Sequence, residues 1–173
     1  MVTPGRIELR LKRLDQLFES YDPAPFHEKD LDPDAEEFIV SWAREYPPST
    51  PLLFVLHLPA DQRPLQPEAT VREAIANYFG YRAGLTRLEL RRLLQQGRSS
   101  LIVGMVFLAA CTLARQLVTS QILQEGLLIV GWVAMWRPLE LLLYDWWPIA
   151  RRRRSFENLA RMQVQVQFAD EVG

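Results

Sequence analysis

Three segments of the chain carry the apolar and polar patterns of β-strands. Residues 6–12, RIELRLK, alternate aliphatic and charged side chains, which is typical of a strand with one buried face. Residues 52–58, LLFVLHL, form a continuous apolar run of strand length. Residues 162–168 alternate apolar side chains with glutamines. The chain is therefore predicted to contain three strands.

A helix is predicted between the first two strands. Asp32 supplies an N-cap carboxylate and Pro33 suits the first helical position. The helix should run to about Tyr46, because Pro47 stops it. A strand, a helix and a strand in this order predict a β-α-β unit with parallel strands. Since a two-stranded sheet is rarely stable alone, we expect the C-terminal strand to return and join it.

A second helix follows the second strand. It is predicted to begin near Pro67 or Thr70, where apolar residues start to recur at helical spacing. Gly80 and Gly84 weaken this helix without ending it. It leads directly into the most apolar part of the chain.

Two apolar stretches, of about residues 99–119 and 124–147, are long enough to cross a bilayer. The predicted fold is an α+β membrane protein. A small cytoplasmic α/β domain, formed by the β-α-β unit and the returning strand, is interrupted by a two-helix transmembrane hairpin. Residues 1–98 form most of the domain and the helix that leads into the membrane. Residues 99–149 form the hairpin, and residues 150–173 form a basic helix and the returning strand.

Tryptophans and arginines mark the predicted inner face of the membrane. The second apolar stretch ends in Trp146 and Trp147, and a basic run follows, formed by Arg151, Arg152, Arg153 and Arg154. Arg98 flanks the other end of the hairpin, whereas the turn between the stretches has no Lys or Arg. The positive-inside rule therefore predicts cytoplasmic termini, with anionic lipid head groups as partners of the arginines. The alternative is a soluble helical hairpin that dimerises through its apolar surface.

Charged and polar residues lie inside the second apolar stretch. With the tryptophans at the inner interface, Arg137 falls near the membrane midplane, and Glu140, Tyr144 and Asp145 lie further inward. Arg137 and Glu140 have the spacing of a helical ion pair, and Pro138 frees a backbone carbonyl beside them. A single hairpin hides such charges poorly, so we expect several copies around an axis. The pair then either fixes the assembly or lines a hydrated path.

The outer end of the hairpin carries one residue of each charge. Arg115 and Glu125 lie on opposite limbs, at similar distances from the turn, and are predicted to pair at the outer interface. The alternative is that the two charges only orient the hairpin, with the long Arg115 side chain reaching the interface. Gly104 and Gly126 are predicted to allow close contact between helices.

The composition points to no catalytic chemistry. Hydrophobic residues make up 49% of the chain and the formal net charge is −1. Asp30, Asp32 and Asp34 have the opening spacing of an EF-hand loop, but Ala35 stands where that loop needs glycine. The arginines lack the interleaved aromatic residues of nucleic-acid-binding segments. We therefore expect no enzyme activity, cofactor, metal or nucleic acid. His57 is expected in a strand with a satisfied imidazole, and Cys111 is expected to pack.

The segments LDPDAEEFIVSWARE and GWVAMWRPLELLLYDWWPI, followed by a basic run, resemble a group of bacterial two-helix membrane proteins of unknown function. This resemblance implies the hairpin topology and a place in the bacterial inner membrane. The architecture also resembles the mitochondrial calcium uniporter family, whose pore entrance has Trp-Asp and, after two residues, Glu-Pro. Here Arg137 precedes Pro138 and Val133 follows Trp132, so calcium selectivity is not implied.

The predicted function is a homo-oligomeric membrane channel or transport-type assembly with a cytoplasmic α/β domain. The alternative is a membrane-anchored scaffold or adaptor whose cytoplasmic domain recruits a soluble protein. A continuous hydrated path past Arg137 favours the channel, and an exposed apolar patch on the soluble domain favours the scaffold.

Overall fold

The computed structural model describes residues 4–19, 30–65 and 67–169 and shows a mixed α/β protein with one three-stranded parallel sheet. The strands are β1 (Gly5–Arg10), β2 (Leu52–Pro59) and β3 (Gln163–Ala169). The helices are α1 (Pro33–Arg44), α2 (Pro67–Arg115), α3 (Gln121–Glu140) and α4 (Trp146–Leu159). Short 3-10 turns cover Leu14–Leu17 and Ala60–Leu65, and a π turn, Leu141–Asp145, joins α3 to α4.

The chain divides into two compact units. The sheet unit comprises Met1–Leu85 and Arg151–Gly173, and the hairpin unit comprises Thr86–Ala150. Helix α2 contributes residues to both units. Residues 27–29, which directly precede Asp30 in the segment with the EF-hand spacing, lie outside the described residues.

The C-terminal strand returns to the sheet, as the sequence predicts. The strand order is β1-β2-β3, and β2 pairs in parallel with both neighbours. Ile7 lies opposite Phe54, and Phe54 lies opposite Val164. All three side chains are buried, because the alternating patterns of β1 and β3 direct their apolar residues to one face of the sheet. That face forms the core together with α1, α2 and α4.

Helix α1 begins as predicted. The Asp32 carboxylate accepts hydrogen bonds from the backbone N–H groups of Asp34, at 2.9 Å, and Ala35, at 3.4 Å. Pro33 occupies the first helical position, where its missing N–H costs nothing. The helix ends at Arg44, slightly before the predicted end, and buries Ile39 against the sheet unit's core.

Helix α2 continues without interruption past Gly80 and Gly84. Each glycine costs roughly 1 kcal/mol in a helix relative to alanine. Phe79 and Ala83, which precede the two glycines, are buried in the core. Burial of Phe79 and Ala83 offsets the free-energy cost of the two glycines.

The turn of the hairpin lies earlier in the chain than the sequence predicts. Helix α2 ends at Arg115 and α3 begins at Gln121, whereas the apolar patterns extend the first span to residue 119 and start the second near 124. The Gln124 side chain donates to the Val118 carbonyl oxygen at 2.6 Å. This bond satisfies a backbone carbonyl of the turn that follows the end of α2.

Candidate functional site on the helical hairpin

Two helical segments, Pro67–Arg115 and Gln121–Leu159, are long and apolar enough to cross a membrane. Many of their apolar side chains are exposed in the single chain, including Trp136, which is 74% exposed. The exposed set also includes Ile102, Val103, Val106, Phe107, Ile129, Trp132 and Val133. An apolar surface of this extent marks contact with lipid or with another protein surface.

Glycines bring the two limbs of the hairpin together. A Cβ atom on Gly131 would lie 2.8 Å from Leu108 Cδ1, and one on Gly104 would lie 3.0 Å from Met135 Sδ. A Cβ atom on Gly97 would lie 2.9 Å from Leu142 Cδ2. Small residues at such positions let helix backbones approach closely in membrane bundles.

The two glycines that were predicted to allow close helix contact behave differently. Gly104 packs against the facing limb, whereas a Cβ atom on Gly126 would meet nothing within 4 Å. Cys111 is a free, buried cysteine, and its Cβ atom lies 3.3 Å from the position that a Gly131 Cβ atom would take. The prediction that this cysteine packs is therefore confirmed.

Arg137, Glu140 and Asp145 form a charged triad on the hairpin surface. Arg137 Nη1 lies 3.0 Å from Glu140 Oε2 and 3.6 Å from Asp145 Oδ2. The three side chains are 64%, 43% and 34% exposed, in that order. The predicted pairing of Arg137 with Glu140 is thus present. Tyr144, which is predicted to lie further inward than Arg137 on the same helix, is exposed.

The π turn explains why Asp145 reaches Arg137. In a regular α-helix successive residues rotate by about 100°, so Asp145 would lie about 80° around the axis from Arg137. A π turn holds more residues per turn and rotates each of them less. The turn over Leu141–Asp145 therefore brings Asp145 back beneath Arg137. The turn follows Pro138, which cannot donate a backbone hydrogen bond.

The register of the limbs sets the level of the triad along the hairpin. Gly131, near the middle of α3, faces Leu108. Arg137 is about 9 Å further along the helix axis. Gly97 faces Leu141 and Leu142, so the neighbouring Arg98 is level with the triad. This register puts the triad toward the arginine-bearing end of the hairpin, whereas the predicted depth of Arg137 in a membrane stays a prediction.

The predicted ion pair at the other end of the hairpin does not form within the chain. Among the described residues, no ion pair joins Arg115 to Glu125. The Glu125 carboxylate instead accepts a hydrogen bond from Gln121 Nε2 at 3.2 Å. Helix α2 ends at Arg115 itself, and both side chains are exposed.

The tryptophans and arginines after the triad lie on one continuous helical stretch. Trp146 and Trp147 contact each other edge to face, with ring centroids 5.7 Å apart, and Trp147 is exposed. Arg151, Arg152 and Arg154 are exposed, whereas Arg153 Nε lies 3.2 Å from Glu157 Oε1. The basic run therefore presents most of its charge at the surface.

The sheet unit contains a polar cluster that the sequence patterns did not reveal. Tyr78 donates a hydrogen bond to Glu36 Oε2 at 2.6 Å, and Arg82 Nη2 lies 2.8 Å from Glu36 Oε1. The Arg82 guanidinium also lies 5.5 Å from the centre of the Phe156 ring. The cluster thus links α1, α2 and α4. The spacing of Tyr78 and Arg82, one helical turn apart, was the only local signal for it.

Burial, followed by the hydrogen bond to Glu36 and the charge of Glu36, raises the pKa of Tyr78 above its ordinary value of 10.0. The neutral phenol can donate to the carboxylate, whereas a phenolate would be desolvated beside a like charge. Tyr78 is therefore held in the protonated state that the hydrogen bond needs.

The His57 imidazole pairs with a residue of the neighbouring strand, as predicted. His57 Nε2 lies 3.1 Å from Glu8 Oε2 across β1 and β2, so its imidazole has a partner. Within residues 4–19, 30–65 and 67–169, no group of three or more His, Cys, Asp or Glu side chains could hold a metal ion.

Compared with family models, curated proteins and solved structures, the chain matches none.

Proposed function

We propose that the chain is an integral membrane protein whose apolar helices cross the bilayer as a hairpin and assemble into a homo-oligomeric channel or transport path. The sheet unit and both termini lie in the cytoplasm of a bacterial cell. The observation that carries this proposal is the exposed charged triad, Arg137, Glu140 and Asp145, beside an exposed apolar helix surface.

The triad supports assembly because it is unfavourable at a lipid-facing surface. A charge at the centre of a bilayer costs about 2.5–3.5 kcal/mol on insertion scales. The cost decreases near the interface, and the register of the hairpin favours that depth for Arg137. Even near the interface, contact between the triad and lipid tails is unfavourable. Covering the triad with other subunits or with water removes this contact. Copies arranged around an axis provide both, with the triads near the inner mouth of a path.

The assembly is tested by measuring the mass of the purified protein in lipid nanodiscs. We expect one discrete multiple of the single-chain mass. The matched control is Trp136→Leu, which changes an exposed side chain beside Arg137 without removing a charge. It should keep the parent mass. A single-chain mass in lipid would contradict the assembly.

Transport is tested separately by potassium and chloride flux into liposomes that contain the protein. Arg137→Met should change the flux or the ion preference, because charged rings set the selectivity of channels. An assembly of defined mass that passes neither ion in either form would leave the scaffold as the better function.

The scaffold remains a second candidate because the sheet unit also exposes large aromatic side chains. Trp42 is 41% exposed on α1, and Tyr81 is 64% exposed on α2. Aromatic residues of this kind are enriched in protein interfaces. If the protein is a scaffold, Trp42→Ser should abolish capture of a defined cytoplasmic protein by the full-length membrane protein, while the oligomer mass stays unchanged.

A further inference from the structure

The charged triad has an excess of negative charge. Arg137 contributes one positive charge, and Glu140 and Asp145 contribute one negative charge each, so each triad carries a formal charge of −1. An uncompensated charge is costly where lipid or protein excludes water. A subunit interface that excludes water from the triad is therefore stabilised by one further cation from a facing surface.

Arg98 is the cation at the same level of the hairpin. The adjacent Gly97 packs against Leu141 and Leu142, which immediately follow Glu140. Arg98 is exposed, and it has no ion-pair partner among the described residues. In an assembly around an axis normal to the membrane, all copies share one depth. Arg98 of one copy is therefore level with the triad of the next.

Arg98 and Arg137 lie on opposite flanks of the hairpin. Gly97 and Pro138 mark the line of contact between the limbs. On α2, Arg98 comes directly after Gly97. On α3, Arg137 comes directly before Pro138. Because the limbs are antiparallel and each residue rotates by about 100°, these two positions point to opposite sides. An arginine on one flank and a net-negative triad on the other form a head-to-tail interface, which gives a ring when the rotation between neighbouring copies closes.

We infer that the partner at the triad is a second copy of this chain, and that Arg98 of that copy binds the Glu140 and Asp145 carboxylates. The inference deepens the proposed assembly and rests on it. One arginine from the neighbour brings the formal charge of each triad to zero. The two surfaces that meet are different, so the same interface repeats around the ring. The Arg98 of each subunit binds the triad of one neighbour, and the triad of that subunit binds Arg98 of the other neighbour.

The contact is tested with the full-length Arg98→Lys variant in lipid nanodiscs. The substitution keeps the positive charge and supplies an amine that a carbodiimide can join to a nearby carboxylate, forming an amide with loss of water. Chains labelled with 15N are mixed with unlabelled chains before assembly, so that mass spectrometry separates links between copies from links within one. The matched control, Ser100→Lys, places the amine on the same helix near the same level but on the other flank.

We expect a cross-linked ladder for Arg98→Lys, with mixed-isotope peptides that join the introduced amine to Glu140 or Asp145. The link to Glu140 should disappear when Glu140→Gln is added, and Ser100→Lys should give at least tenfold less of either link. An oligomer of parental mass without these links, or with equal links in Ser100→Lys, overturns the Arg98 contact and leaves the proposed assembly intact. A single-chain mass in every variant overturns both.

Discussion

Arg137 and Asp145 are separated by about two helical turns, yet Arg137 Nη1 lies 3.6 Å from Asp145 Oδ2. The π turn between them rotates Asp145 onto the face that Arg137 and Glu140 already share. π turns are rare and occur often at functional sites. The pairing therefore marks the polar face of the hairpin as the part of the molecule where function is best sought.

Removing one member of the triad should destabilise the assembly. Breaking one side of a buried ion pair typically costs about 3–5 kcal/mol, so Arg137→Met should lower the oligomer fraction, and Arg137→Met with Glu140→Gln should restore much of it. The control is Arg115→Met, which removes an exposed arginine at the other end of the hairpin. The measurement is oligomer dissociation against detergent concentration.

The same variants separate the two interpretations of the triad. Loss of assembly in the single variant and recovery in the double indicates an ion pair that fixes the assembly. Retained assembly with a changed ion preference in liposomes indicates a hydrated path, where water solvates the remaining charges. If single and double variants match the parent in both assays, neither role is correct.

Hairpin packing should depend on which glycine is substituted. Gly131→Ala places a Cβ atom 2.8 Å from Leu108 Cδ1, and overpacking of this kind costs about 1–3 kcal/mol. Gly126→Ala, on the same helix, meets nothing within 4 Å, so it should be neutral or slightly stabilising because alanine favours the helix. Thermal unfolding in detergent compares the two. Equal destabilisation by both variants would argue against the observed register.

The hydrogen bond from Tyr78 to Glu36 should make stability sensitive to alkaline pH. Because the folded-state pKa of Tyr78 is raised above 10.0, its contribution to stability is complete below that pH and decreases as the pH rises further. Tyr78→Phe should lower the free energy of unfolding at pH 7 by about 1.5–3 kcal/mol, the range for bonds to charged groups. Tyr81→Phe, an exposed control on the same helix, should have little effect.

The alkaline part of this prediction is measured by chemical denaturation between pH 8 and about pH 11. The parent should lose more stability above pH 10.0 than Tyr78→Phe does. If both lose the same amount, the folded-state pKa of Tyr78 is not raised.

The returning strand should stabilise the sheet unit through one face only. Val164 is buried opposite Phe54, whereas the adjacent Gln165 is exposed. Val164→Ala should destabilise the protein by about 1–3 kcal/mol, as expected when methyl groups are removed from a core. Gln165→Ala should stay within about 0.5 kcal/mol of the parent. Amide hydrogen exchange should show β3 protected in the parent, and unprotected β3 amides would contradict its place in the sheet.

Local chemistry was sufficient to predict the sheet and its first helix. The alternation in β1 and β3 specifies one buried face, and a two-stranded sheet needs a third strand, so the return of residues 163–169 follows from pattern and stability together. The Asp32 cap likewise depends on neighbouring residues alone. These features are set within one element or by the minimum size of a stable sheet.

The spacing of Arg137 and Glu140 predicted their pairing, but the π turn, the contact of Asp145 and the cluster around Arg82 could not be predicted in the same way. An α-helix was the local expectation through Asp145, and no residue pattern in this segment specified the π turn that brings Asp145 to Arg137. Arg82 meets Glu36 and Phe156 through the packing of three helices, which one sequence does not specify. The expected pair of Arg115 and Glu125 assumed a turn at residues 120–123, whereas the observed turn follows directly after Arg115 and is closed by the Gln124 side chain.

The most direct test of a membrane-crossing hairpin is thiol labelling of intact cells. Ser120, in the turn between α2 and α3, is exposed, and Ser155 follows the arginines that mark the predicted inner face. In a Cys111→Ala background, an impermeant thiol reagent should label Ser120→Cys in intact cells and label Ser155→Cys only after lysis. Labelling of Ser155→Cys but not of Ser120→Cys in intact cells would contradict the proposed topology.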